Sequence, residues 1–447
     1  MKRSYVKVGN EWVERALSAT CSACPNNDKY GPLHVRAQAT VDSRKRKPRS
    51  IVNAEPDHKK PSPDRLVRLF LCGDVMTGRG VDQILPHPCD PRLHESYMDS
   101  AIDYVRLVEQ VVGPMPRAVD FSYVWGAALE ELSHTRPDAR IINLETSVTR
   151  SEAWLDKGIN YRMSPENAAC LRAAGVDCCV LANNHVLDWG RAGLVETLNT
   201  LDALGIKTAG AGRDVTEAIR PAVLNIAGKG RVIIQAFGLP TSGVPRSWSA
   251  TETAPGVNVL PDLSAESVAL IRRQLQGVRR PGDVVIVSLH WGPNWGNNIP
   301  QSQRHFAHEL IDAADVSIVY GHSSHHAKAI EVYKDRLILY GCGDFLNDYE
   351  GIEGHEEFRG DLAVMYFASV DPMARDLVAL DLTPLQIRRF QLVRATPEDV
   401  AWLQQTLARE SREFGVDVEL KAGGRLAACW RGTRDNAKSA AKGRTAP

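Results

Sequence analysis

Five short apolar runs in this 447-residue chain stop at polar residues of the kind that hold metal ions: GDVM at 73–76, NLETS at 143–147, NNHVLDWG at 183–190, LHWG at 289–292 and GHSSHH at 321–326. In order they offer the carboxylates of Asp74 and Glu145, the amide oxygen of Asn184, and the imidazoles of His185, His290, His322 and His325. A mixture of oxygen and nitrogen donors suits Mn, Fe or Zn better than Ca or Mg. Two such ions side by side would need about four ligands each, usually with one carboxylate shared. Open α/β sheets gather their ligand groups beyond the carboxyl ends of strands. A strand-end position repeated five times therefore carries more weight than any one histidine. Each residue alone reads more simply as a turn or cap residue, Asp74 for instance as an Asx turn before Gly78 and Gly80. Independent turns do not produce the ordered set.

The elements needed to position these groups are legible. Apolar runs of strand length occupy 66–72, 140–144, 176–182, 232–239, 283–289, 315–320, 336–340 and 362–368. Helical patterns lie between them at 165–174, 191–204, 264–276 and 301–314. The first is marked by Ser164 as N-cap, Pro165 at the first helical position and Gly175 past the end. Strands alternating with helices predict an α/β fold with sheets covered by helices. A returning hairpin follows residue 376 and a helix is predicted near 397–414.

Length and composition frame the organisation. A chain of this size needs only one large α/β domain with appendages. With 43% hydrophobic and 24% charged residues it is ordinary for a globular protein. The 54 basic and 54 acidic residues balance overall, yet residues 1–65 hold 14 Lys/Arg against 7 Asp/Glu and residues 421–447 hold 7 against 1. The body between is acidic, which argues against a nucleic-acid binder. The expected division is a disordered basic leader over 1–65, the metal-binding domain over 66–390, a C-terminal helical elaboration over 391–422 and a flexible basic tail over 423–447. The nine cysteines form no spaced disulfide framework, and Cys72, Cys178, Cys179 and Cys342 read as buried thiols. Cys21 and Cys24 form one CxxC with only His34 near, too few ligands for a structural zinc site. No run reaches the roughly 18 apolar residues that cross a bilayer, and no signal-peptide core is seen, so the expected location is cytoplasmic, with envelope association open.

In order and strand context the motifs resemble those of the calcineurin-like metallophosphoesterases. They are closer still to the CapA-like capsule-synthesis family, whose pattern this chain repeats as GDVM, NLE, NNHxxDxG, LHWG and GHxxH over roughly 66–370. The resemblance implies a four-layer α/β/β/α sandwich of two packed sheets. It implies one or two divalent ions held by Asp74, Glu145, Asn184, His290 and His322, with His325, or His326 beside it, a further ligand. It casts His185 as general acid, oriented by Asp188. Arg79, in the GRG at 78–80, and Arg162, in NYRMSP, lie where the family would contact substrate. Trp291 and Trp295 are candidates for an aromatic pocket wall. Two departures stand out: Met76 replaces the histidine of the phosphoesterases' Asp-x-His, and Glu145 replaces their bridging aspartate with a longer arm.

The function implied is an accessory role in synthesis, transport or retention of a poly-glutamate or poly-glutamine envelope polymer, through a metal-dependent hydrolase site. The partners implied are that anionic poly-amino-acid polymer or its synthesis machinery, with neither nucleic acid nor a transmembrane segment. The alternatives are a non-catalytic metal-binding accessory protein, favoured by Met76 and Glu145, and a phosphoesterase for an unrelated phosphoester.

Overall fold

The computed structural model describes residues 63–432, together with the backbone of a hairpin in which Ser4–Val8 pairs antiparallel with Glu11–Arg15. The remainder of residues 1–62, including the CxxC and the basic run, and residues 433–447 lie outside the described residues.

Among the described residues two large sheets organise the chain. The first has ten strands. Lys207–Ala209, Cys178–Val180, Ala139–Leu144 and Val67–Val75 run parallel in that spatial order. Leu362–Val370, Leu377–Arg388, Leu426–Trp430 and Val416–Leu420 then extend it antiparallel. The second has six, with Gly230–Gly238, Val284–His290, Ile318–His322 and Arg336–Leu339 parallel at its centre. All eight apolar runs read from the sequence are strands.

Strand periodicity decides which face each side chain covers. In the second sheet Val232, Ile234, Ile286, Ile318, Tyr320, Leu337 and Leu339 join one core cluster with Leu69, Leu71 and Ile141 of the first sheet, so the two sheets pack face to face. Their alternates Ile233, Val285, Val287, Val319 and Ile338 turn outward and bury against helices Ala265–Gln276 and Gln301–Ala314. Helices Ala127–Thr135 and Ala169–Ala173 bury Ala128, Leu132 and Leu171 on the first sheet, completing the helix–sheet–sheet–helix layering. A polar tie crosses between the sheets where the Tyr320 hydroxyl donates to the Cys72 carbonyl. Cys72, Cys178, Cys179 and Cys342 are buried free thiols.

The C-terminal part is more β-rich than expected. Helix Pro397–Ser411 is present, with a Thr396/Asp399 capping box. Around it Gln391–Arg394, Val416–Leu420 and Leu426–Trp430 are strands of the first sheet. The span 391–422 thus holds helix Pro397–Ser411 with a short strand on either side of it, and strand Leu426–Trp430 lies within the stretch expected as tail. Alternation across Leu426, Ala428 and Trp430 is hidden by the Ala and Cys residues between them, which carry no strong polar signal.

Gly73 explains how the first motif is placed. A Cβ there would lie 1.8 Å from the Gly343 carbonyl oxygen. This backbone approach lets the Asp74 amide donate to that carbonyl at 2.9 Å. Gly73→Ala is expected to cost at least the roughly 1–3 kcal/mol of an overpacked core, read from the urea midpoint. Gly277→Ala is the control, because its Cβ would meet nothing within 4 Å, and it should leave the midpoint unchanged or raise it.

Candidate metal centre

Asp74 ends strand Val67–Val75, Glu145 follows Ala139–Leu144, and Asn184 follows Cys178–Val180, all at the same edge of the first sheet. His290 and His322 end neighbouring parallel strands of the second sheet and stand opposite each other in register. Facing the two sheets together brings these carboxyl ends into one place. Asp74, Glu145 and His290 each offer a ligand atom, and the three atoms lie within 4.8 Å of one another. The Asn184 Oδ1 sits 3.0 Å from His290 Nε2, and His322 Nδ1 is 3.3 Å from Asp74 Oδ1.

The electrostatics of this group are those of a cation site. Asp74 and Glu145 are 0% and 1% exposed and share one amide donor, since Asn143 Nδ2 donates at 2.8 Å to Asp74 and 3.2 Å to Glu145. Burial and then the Asp74 charge push the Glu145 carboxyl well above its ordinary range. Burial also opposes ionisation of Asp74, but the adjacent His322 imidazole, together with His290 and the Asn143 amide, holds that carboxyl low. Burial drives His290 down to about 3, so it presents a neutral ring. His290 Nδ1 and His322 Nε2 are buried with no hydrogen-bond partner, a costly state for polar atoms that a ligated ion would relieve. Two carboxyl groups, an amide oxygen and imidazoles with uncommitted nitrogens fit a divalent ion.

His185 stands at the rim. Its Nδ1 is 2.7 Å from Asp188 Oδ2, which leaves Nε2 directed to Glu145 Oε1 at 3.9 Å. Burial, only partly offset by Asp188, lowers its pKa to about 4. Asp188 is buried and also accepts from the Tyr161 amide at 2.6 Å and from Lys157 Nζ at 2.7 Å. Lys157 in turn donates to the Asn184 carbonyl.

Three sequence-derived candidates do not join the group. His325 is turned away, its Nδ1 2.8 Å from Asp344 Oδ1 and its Nε2 2.9 Å from Asn294. The cause is register: Asp344 pairs directly beside Asp74 and captures the ring. Arg79 is 3% exposed and spends its guanidinium internally, on Asp348 at 2.5 and 3.2 Å, Glu95 at 3.1 Å, and the Tyr104 and Tyr161 hydroxyls. Arg162 lies over Trp189 at 3.8 Å and bonds Glu152 and the Ser151 and Asp90 carbonyls. The anionic partners these arginines were expected to find in a substrate are supplied by the protein itself. Met76 is fully buried, with the Tyr349 hydroxyl 3.6 Å from its sulfur. Trp291 is core, donating to the Tyr340 carbonyl, whereas Trp295 lines a cavity. Sequence reasoning missed Asn143, although it sits inside the NLE motif, and it missed Lys157, which lies in an aperiodic stretch with no signal.

The pKa displacement of Glu145 has a testable sign. Its folded value lies above the ordinary 4.5, so stability it contributes below that pH is lost as pH rises, because the unfolded chain ionises first. In EDTA-treated protein, the wild type should lose stability relative to Glu145→Gln by about 1 kcal/mol per pH unit above pH 4.5, until folded Glu145 ionises. Urea unfolding from pH 5 to 8 measures the difference, and added Mn should reverse the order of the two proteins.

Fold and site together define a two-sheet α/β protein with a buried carboxylate–imidazole centre suited to a divalent cation. The chain belongs to the bacterial capsule synthesis protein family PGA_cap, whose profile matches residues 68–349. Over 359 residues, 80% of this chain and 94% of the relative, it is 46% identical to a Mycobacterium tuberculosis protein named "Probable polyglutamine synthesis accessory protein". It is 26% identical over 362 residues, 80% of each chain, to the PGA biosynthesis protein CapA of Bacillus subtilis. A solved structure of a Mycoplasma pneumoniae protein described as a novel phosphatase aligns with 75% of this chain and 96% of its own, at 13% identity and a TM-score of 0.39. Among the described residues no helix is long and apolar enough to cross a membrane.

Proposed function

We propose that this chain is an accessory protein in making, moving or retaining a poly-glutamate or poly-glutamine envelope polymer, and that it acts through a divalent metal centre of the Mn, Fe or Zn kind. Asp74, Glu145, Asn184, His290 and His322 would hold one ion, with room for a second only if His325 and Asp344 turn inward. Such an ion would supply Lewis-acid polarisation of the scissile group and of a water. His185, fixed by Asp188 with Nε2 toward the centre, would deliver the proton to the leaving atom. The observation that carries this reading is the convergence of Asp74, Glu145 and His290 within 4.8 Å in a fully buried setting.

A second reading, an accessory protein that binds metal without hydrolysing anything, draws on Met76 and on the engagement of His325 by Asp344 and Asn294. Both reduce the ligands available to a second ion. The test is elemental analysis of the purified full-length chain together with polymer content of cells carrying His290→Ala or His185→Ala. Stoichiometric metal and loss of polymer in both variants support the hydrolytic reading. Loss with His290→Ala alone favours the non-hydrolytic one. Absence of metal with normal polymer in both variants sinks the metal centre altogether.

A further inference from the structure

The ammonium of Lys157 is held by one stretch of chain, the segment that carries Asn184, His185 and Asp188. Its Nζ donates to the Asn184 carbonyl and, at 2.7 Å, to Asp188 Oδ1. A third neighbour, His185 Nδ1, stands 3.3 Å away. That nitrogen cannot accept, because it lies 2.7 Å from Asp188 Oδ2 and carries the hydrogen given to the carboxylate. The Trp248 ring, its centre 5.4 Å off, offers a face to the charge but no lone pair. Two of the three ammonium hydrogens are thus placed, and the third has no acceptor among the described residues.

The position of Lys157 is set by the loop around it, which is pinned to Asp188 on both sides. The Leu155 amide donates to the Asp188 carbonyl at 2.8 Å, Asn160 Nδ2 to the same carbonyl at 3.2 Å, and the Tyr161 amide to Asp188 Oδ2 at 2.6 Å. The Lys157 side chain is 23% exposed, whereas Asp74, Glu145, His290 and His322 are at most 2% exposed. An anion arriving from solvent meets this ammonium before it meets the buried ligands. Burial raises the Glu145 carboxyl and the Lys157 charge works against that rise, so its field reaches the centre. Arg79 and Arg162 spend their guanidiniums on Asp348, Glu95 and Glu152. Lys157 keeps a donor.

We propose, on the reading above that the centre is a metal-dependent hydrolase site, that Lys157 anchors an anionic oxygen of the substrate at the rim, beside His185. An ammonium takes an oxyanion as a point charge, without the fixed fork of a guanidinium, so a phosphoryl and a carboxylate oxygen both satisfy it. The role expected of Arg79 and Arg162 thereby falls to a residue from the loop between them. A merely structural Lys157 would neutralise buried Asp188 and bind nothing else.

The test is amidination of the full-length wild-type chain with methyl acetimidate, read at each lysine by mass spectrometry, in EDTA and again with Mn. Inorganic phosphate, acetate and chloride are compared at equal ionic strength. Phosphate or acetate, once above about twice its Kd, should slow labelling of Lys157 about threefold or more relative to chloride. Lys334, exposed and paired with Asp312 at 2.6 Å, should label at the same rate throughout. The anion that protects at the lower concentration identifies which oxyanion the site takes. Calorimetric titration of the Mn-loaded chain with that anion should show binding about tenfold or more weaker in Lys157→Gln, the loss of one hydrogen bond to a charged group, with Lys157→Arg less affected. Protection by neither anion, no labelling of Lys157 in any condition, or unchanged anion affinity in Lys157→Gln overturns the proposal. So does a Lys157→Gln chain that binds Mn and the anion more weakly by the same factor, since Lys157 is then only a brace for the Asn184–Asp188 segment. If Lys157→Gln does not fold, labelling of the wild type decides alone. A wild type that holds no Mn removes the metal reading, while labelling in EDTA still tests this one.

Discussion

Asp74→Asn should abolish stoichiometric metal binding while leaving the metal-free chain folded. The carboxylate is buried beside Glu145 and shares Asn143 with it. In the absence of a cation the change ends the repulsion between the two acids but also gives up the His322, His290 and Asn143 interactions that hold Asp74 ionised, so the metal-free protein should lose some stability at neutral pH. With a cation present the same change removes a charged ligand, so the loss should exceed the roughly 10–100-fold cost of altering a residue that only orients a ligand. Asn143→Ala supplies that lesser effect for comparison, because Asn143 touches both carboxylates. Isothermal titration with Mn and thermal melts in EDTA, run on wild type and both variants, separate the two roles. If Asp74→Asn destabilises the metal-free chain by several kcal/mol and binds Mn normally, Asp74 is a structural residue and the centre has been misassigned.

The largest loss of stability is expected at Arg79. Its guanidinium is 1% exposed, pairs with Asp348 and Glu95, which are both fully buried, and lies 4.0 and 4.2 Å from the Tyr104 and Tyr161 ring centres. Arg79→Met keeps much of the volume and removes the charge, which leaves two buried carboxylates without a counterion. Breaking a buried pair in this way costs about 3–5 kcal/mol, and here two partners are orphaned. Adding Glu95→Gln and Asp348→Asn should restore most of the loss, since the uncompensated charges would then be gone. Denaturant midpoints of the single and triple variants test this. A triple variant no better than Arg79→Met would mean that packing against the tyrosines, and not the charge, holds this region. Because Arg79 has no donor turned to the centre, a destabilised but folded Arg79→Met should bind Mn with wild-type affinity.

How much of this was legible in the sequence differs by element. Each of the eight apolar runs became a strand, because a buried strand in a two-sheet sandwich must be apolar along nearly its whole length. The helices over 191–204, 264–276 and 301–314 showed their apolar spacing, and Ser264 caps the second of them. Helices Ala101–Val112 and Ala127–Thr135 escaped notice. The C-terminal strands also did, since short runs rich in Ala and Cys carry little contrast between faces.

Residue type and order alone determined which side chains were chemically competent: Asp74, Glu145, Asn184, His185, His290 and His322 all stand at strand ends, and that placement is a local property. Tertiary structure alone decided which of them meet. Asp74 and His290 belong to different sheets, and only the packing of those sheets, set by which alternate residues face inward, brings them within ligand distance. The same long-range packing withdrew Arg79, Arg162 and His325. A buried arginine or histidine takes the nearest carboxylate available, and Asp348, Glu152 and Asp344 reach those positions through register and chain crossings that no local spacing encodes. Thus the candidate donors were readable from the chain itself, while which of them lie together follows from long-range packing and from burial, which favours a partner within the fold for a charged group.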